Sequence, residues 1–153
     1  MKKYLPWLLF LFPVFVFLQS LPFKFTGAPE TLYIFDTIGA WFGSIGLTAI
    51  AEPFASYGAY GVGTFELIAS ILLLVPATRH WGALLGAGVL TGAIFFHLFT
   101  PLGISVEFPG SAEGGEPALF VMAVLAWSCL VALVVMHRQR YPFMGGAADP
   151  AAI

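Results

Sequence analysis

Three side chains stand where apolar sequence makes their presence costly: Lys24, Glu66 and His97. Glu66 lies in an apolar run of roughly Tyr60–Val75, and His97 in another of roughly Trp81–Phe99. Each run approaches the ~20 residues that cross a hydrocarbon core. A charged group at that depth costs at least ~2.5–3.5 kcal/mol, so each residue requires a reason. Glu66 reads as a buried acid satisfied by Thr64, Ser70 or a backbone group, or as a proton carrier, a lysine partner or an anchor for a polar ligand head. His97 reads as a hydrogen-bonding residue between helices, or as a ligand or proton-exchange group. Lys24 can anchor a helix end by extending its stem to the interface. Beside a buried acid at similar depth it becomes an ion-pair partner that makes the acid tolerable.

The elements that must position these groups follow from helical spacing. Gly63, Ala69 and Ser70 share the face of Glu66, and Ala93, Val89, Leu90, Gly86 and Gly82 share that of His97. Small residues in such stripes let membrane helices approach closely. Both polar groups therefore point at other helices, while Leu67, Ile71, Leu74, Phe95 and Phe96 are placed to meet lipid. The two runs form an antiparallel hairpin joined at Thr78-Arg79-His80. Glu66 near the start of one and His97 near the end of the other are expected within about 10 Å in depth. A Glu66–His97 pair, or a shared polar pocket, is the inference.

Composition sets the class. Hydrophobic residues make up 59% and charged residues 9%, against about 25% charged in soluble domains. No basic patch points to nucleic acid and no acidic tract to a solvating tail. Cys129, the single cysteine, excludes an internal disulfide and a CxxC thiol site, and reads as a small buried hydrophobe. The chain is expected to be an all-α bundle of four transmembrane helices with an interfacial helix in the first external loop. Residues 1–140 form one membrane domain with spans of about 5–22, 57–77, 81–100 and 117–137, and 141–153 a disordered cytoplasmic tail.

The first run follows Met1-Lys2-Lys3-Tyr4 and contains Pro6 and Pro13. Its cleavage sites match a signal peptide poorly, so it reads as a retained helix, bent at Pro13. Pro29–Phe42 carries a helix-start signal in Pro29-Glu30 and apolar positions Leu32, Phe35, Ile38/Gly39 and Phe42. It reads as a helix lying flat at the interface, with Tyr33 and Trp41 at headgroup depth. Pro53 is a candidate first helical residue for the second span, which would start that helix well before Tyr60. Residues 102–116 read as a polar, glycine-rich loop. With four spans, Lys2, Lys3, Arg79, Arg138 and Arg140 fall on one side and Lys24 on the other. The positive-inside rule then makes both termini cytoplasmic.

Other site chemistries are poorly supported by spacing. No HxxxH, HxxE or CxxC pattern occurs, and His80 and His137 lie at the opposite edge from His97, which argues against a metal or a bis-histidine haem. Gly58, Gly61 and Gly63 fit helix packing better than phosphate binding.

Lys24, the phrase Gly63-Thr64-Phe65-Glu66-Leu67-Ile68, Thr78-Arg79 and His97, in that order and spacing from about Phe17 to Leu98, resemble the DoxX-like integral membrane proteins. Ser20 and Pro22 stand near the position where that family often has a glycine, and Lys2-Lys3 replaces an early arginine. The resemblance implies a four-helix protein of the bacterial inner membrane. It also implies kinship with membrane subunits of redox systems, thiosulfate:quinone oxidoreductase among them, or with partners of proteins that handle oxidative stress. The expected function is accordingly a membrane subunit of an oxidoreductase system. A quinone-like ligand would lie near Lys24, Glu66 and His97, the last two being the candidates for proton exchange. A non-catalytic scaffold for a partner protein, a small proton or weak-acid carrier, and a homo-oligomer remain open beside it.

Overall fold

The computed structural model describes residues 5–108, 110–111, 115 and 117–141. It is all-α: α1 (Leu5–Thr26), α2 (Pro29–Ser44), α3 (Thr48–Leu74), α4 (Arg79–Phe99), α5 (Ala118–Met136) and a final 3-10 turn, Arg138–Arg140. Four of the helices, α1, α3, α4 and α5, are long and apolar enough to cross a membrane. They form a square in which α1 and α4 each pack on both α3 and α5.

The core is built from large side chains set against small ones. Phe10, Val14 and Phe17 of α1 meet Ala69 and Leu73 of α3, Ala83 and Leu90 of α4, and Ala126, Leu130 and Leu133 of α5. Gly82 and Gly86 are small for a steric reason. A Cβ on Gly82 would lie 2.6 Å from the Leu73 amide nitrogen, and one on Gly86 would meet Leu130 at 2.9 Å and Phe17 at 3.0 Å. The backbones of α3 and α4 thus touch at Leu73–Gly82, and Phe17 reaches across the diagonal of the square to Gly86. Outward-facing residues such as Trp7, Leu11, Phe15, Ile71, Leu74 and Phe95 form the lipid-facing surface.

Several boundaries differ from the sequence expectation. α1 continues through Pro22 to Thr26, because a proline removes only the bond to the carbonyl four residues earlier and lipid favours keeping the rest. α3 begins at Thr48, and Pro53 lies inside it at an exposed end where losing one backbone bond is cheap. With 27 residues, α3 is about 40 Å long, some 10 Å more than a hydrocarbon core requires. Its extra turns pair with α2. Gly39 faces Ala51 and Ala55 so closely that a Cβ would come within 2.8 Å of both, and Phe35 packs on Gly58. The face that α2 buries is Thr31, Phe35, Ile38 and Gly39, and Leu32 points outward. Phe96, expected toward lipid, instead joins Trp41, Phe42 and Phe54 in an aromatic cluster with centroids 5.7–6.4 Å from its own.

Left-handed glycines make the sharp turns at this end, Gly27 (φ 66°) after α1 and Gly46 (φ 87°) between α2 and α3. The segment after α4 is less polar in its packing than its composition suggests, since Leu102 and Val106 are buried against Ile38 of α2. At the other end, the Arg79 guanidinium lies 3.8 Å above the Phe10 ring and its Nε donates to the Leu73 carbonyl at 2.8 Å. Tyr141, expected at the start of a disordered tail, is buried there. Its hydroxyl donates to the His80 carbonyl at 2.7 Å, and its ring stands edge-on to His80 and Trp81. Residues 142–153 lie outside the described residues.

Candidate functional site

Ser20 and Lys24, one turn apart on α1, face Glu66 on α3. The Lys24 ammonium donates to Glu66 Oε2 at 2.9 Å and to Ser20 Oγ at 2.8 Å. The Ser20 hydroxyl lies 2.9 Å from the same Glu66 oxygen and 2.8 Å from the Phe17 carbonyl, so its one proton is shared between two acceptors. Only 16% of the Lys24 side chain and 7% of that of Glu66 are exposed. Lys24 is therefore an inward ion-pair partner and not an interface anchor. Ser70, one turn further along α3, donates to the Glu66 backbone carbonyl at 2.8 Å, and Thr64 to that of Tyr60. Neither serves the Glu66 carboxylate. Its second oxygen, Oε1, has no protein partner among the described residues.

His97 is held from the loop that follows its helix. Thr100 Oγ1 donates to the Phe96 carbonyl and accepts from the Leu102 amide, and Gly103 adopts φ 71°. This turn carries the Gly103 carbonyl to 2.6 Å from His97 Nδ1. A carbonyl only accepts, so Nδ1 carries the proton and Nε2 of the neutral ring is an acceptor. Nε2 has no protein partner among the described residues, although His97 is 8% exposed. The ring packs edge-on against Phe120 of α5.

Both groups line one cavity of about 980 Å³, together with Ser20, Lys24 and, from α2, Glu30, Thr31, Ile34 and Ile38. The shared pocket is realised; a direct Glu66–His97 pair is not. The reason is their unequal distance from the hairpin turn, since Glu66 stands seven residues before the Leu73 contact and His97 fifteen residues after Gly82. Measured from the Leu73–Gly82 contact at about 1.5 Å per residue, Glu66 stands about 10 Å up and His97 about 22 Å up. The ion pair therefore sits near mid-depth of the bundle, with His97 roughly 12 Å closer to the end covered by α2.

Two participants were not singled out from the sequence. Ser20 sits four residues before Lys24, a spacing that marks one helix face once α1 is read through Thr26. Gly103 gives no comparable signal, because its role depends on a left-handed turn that brings a carbonyl back over the helix end. Cys129 is half-buried in α5 and away from the cavity wall. Among the described residues no cluster of three or more His, Cys, Asp or Glu side chains forms a metal-binding group. Comparison of the chain with protein-family models, with curated proteins and with solved structures gives no match.

Proposed function

We propose that this multi-pass membrane protein binds a lipid-soluble molecule with a polar head, of the quinone kind, as a DoxX-like membrane subunit of a redox system. The observation that carries the reading is the cavity. It lies at the top of the roughly 300–1,000 Å³ range of small-molecule sites, is largely apolar, and contains a buried ion pair and a buried imidazole. Apolar walls with a few convergent polar groups are what a ring bearing carbonyl or hydroxyl groups requires.

The groups divide the work by depth. The Lys24 ammonium uses two of its three N–H donors on Ser20 and Glu66, which leaves one for a ligand carbonyl. Glu66 Oε1 and His97 Nε2 accept from ligand hydroxyls, so a reduced, dihydroxy ring has acceptors available at both depths. His97 lies between the ion pair and the α2 end, where it can exchange a proton with that side. The basic residues favour an orientation with both termini cytoplasmic in a bacterial inner membrane, which puts α2 and His97 on the outer side.

The test is to purify the protein with native lipid, extract it with organic solvent and analyse quinones by mass spectrometry. A quinone is expected at near-stoichiometric amount, and added quinol should raise the unfolding temperature of stripped protein. If no quinone co-purifies and quinol leaves the unfolding temperature unchanged, the reading is overturned.

A further inference from the structure

We infer that the ligand is a tailed amphiphile whose apolar chain leaves the cavity sideways, between α3 and α4, through a slot floored by Gly88 and Gly92. This rests on the binding reading above and extends it to the shape of the ligand and the residues that select it.

Gly88 and Gly92 are the anomaly. Both lie in the interior of α4, have no positive φ, and would have no atom within 4 Å of an added Cβ. Neither conformational need nor close packing explains them, in contrast to Gly82 and Gly86. Mid-helix glycine weakens a helix relative to alanine, so two of them one turn apart cost stability without a structural return. What they do provide is room, since both line the cavity.

The surrounding helices define a slot. On the inner side α3 and α4 are sealed by the Leu73–Gly82 backbone contact. Toward the α2 end they are sealed by Phe54 on Phe96, 5.7 Å between centroids. Between these seals Phe65 and Gly88 are at once cavity-lining and exposed on the outer face of the bundle. The cavity therefore reaches the lipid surface there. At about 1.5 Å per residue, Gly88 and Gly92 lie about 9 and 15 Å above Gly82, which brackets the depth of Glu66. A head group held by the Lys24–Glu66 pair thus has an outlet for its tail at its own level. The occupant of the slot is a single flexible hydrocarbon or isoprenoid chain, since it must pass a glycine groove opposite one aromatic ring. The cavity also reaches the surface between α1 and α5, at Gln19 and Ala118. That side has no glycine pair, and we assign the tail to the α3–α4 side.

The experiment measures binding of two ligands to the whole protein in lipid nanodiscs: a benzoquinone ring without a tail, and the same ring with a ten-carbon alkyl tail. The variants are Gly88→Leu and Gly92→Leu, with Gly88→Ala as the folding control. Wild type is expected to bind both rings. The leucine variants are expected to keep the bare ring and weaken the tailed one about tenfold or more, the scale of forcing extra methylenes into a filled site. Gly88→Ala should unfold at or above the wild-type temperature. If neither ring binds wild type, the binding reading itself fails. If wild type binds both and the leucine variants bind the tailed ring undiminished, only the slot is refuted. Equal loss of both rings, or loss of tail selectivity in Ala118→Leu instead, would also overturn it.

Discussion

Replacing Lys24 with methionine keeps the length and apolar stem of the side chain and removes its charge. At 2.9 Å and an effective dielectric of about 20, the Lys24–Glu66 attraction is about 6 kcal/mol. Bringing two ions out of water costs several kcal/mol each, so the intact pair contributes little net stability. A single substitution is different, because it strands the other ion. Lys24→Met leaves the Glu66 carboxylate with only half of a shared Ser20 proton, and Glu66→Gln leaves the ammonium beside a neutral amide. Each should lower the free energy of unfolding by about 3–5 kcal/mol. The double variant Lys24→Met/Glu66→Gln removes both ions together and should lie within about 1–2 kcal/mol of wild type. The assay is reversible unfolding in mixed micelles, followed by far-ultraviolet circular dichroism, for all four proteins. If the two single losses add in the double variant to within about 0.5 kcal/mol, the two ions are not coupled and neither is stranded by loss of the other.

Gly82 and Gly88 should respond to alanine with opposite signs. Gly82→Ala forces a methyl group against the Leu73 backbone and should cost about 1–3 kcal/mol, whereas Gly88→Ala should add up to about 1 kcal/mol of helix stability; equal effects in thermal unfolding would refute the distinction. Gly103→Ala places a side chain in a left-handed turn, should cost about 1–2 kcal/mol, and should release the His97 ring, seen as altered imidazole resonances in nuclear magnetic resonance. Tyr141→Phe should lose about 0.5–1.5 kcal/mol with the bond to the His80 carbonyl. Burial pushes the Tyr141 phenol above its ordinary value. Its raised folded value means that stability is fully present below about pH 10 and falls as pH rises through the folded value. Unfolding at pH 8 and pH 11 should show that loss in wild type and less of it in Tyr141→Phe.

The sequence carries most of the bundle because lipid imposes a simple rule: long apolar runs become helices, and costly ionisable groups turn inward. Glu66, with Gly63, Ala69 and Ser70 on its buried face, follows that rule closely. Prolines are poor guides to the helix ends: α1 runs on past Pro22, and α3 begins before Pro53. The depth offset between Glu66 and His97 follows instead from where the backbones of α3 and α4 touch, Leu73 against Gly82, which no local pattern marks. The inward turn of Phe96 and the burial of Tyr141 depend on partners distant in sequence, α2 and the α4 start, which no local period announces. The contrast between Gly82 and Gly88 is likewise invisible in one dimension, since six residues on the same helix separate a backbone contact from open space.

The mid-depth position of the ion pair has an electrical consequence. A proton or other unit charge delivered to Glu66 from either face crosses about half of the transmembrane voltage, worth roughly 1 kcal/mol at 100 mV. Chemistry that changes the net charge at this site would therefore respond to the energised state of the membrane whichever face supplies the charge, whereas at His97 a charge taken from the nearer surface would cross only a small part of the voltage.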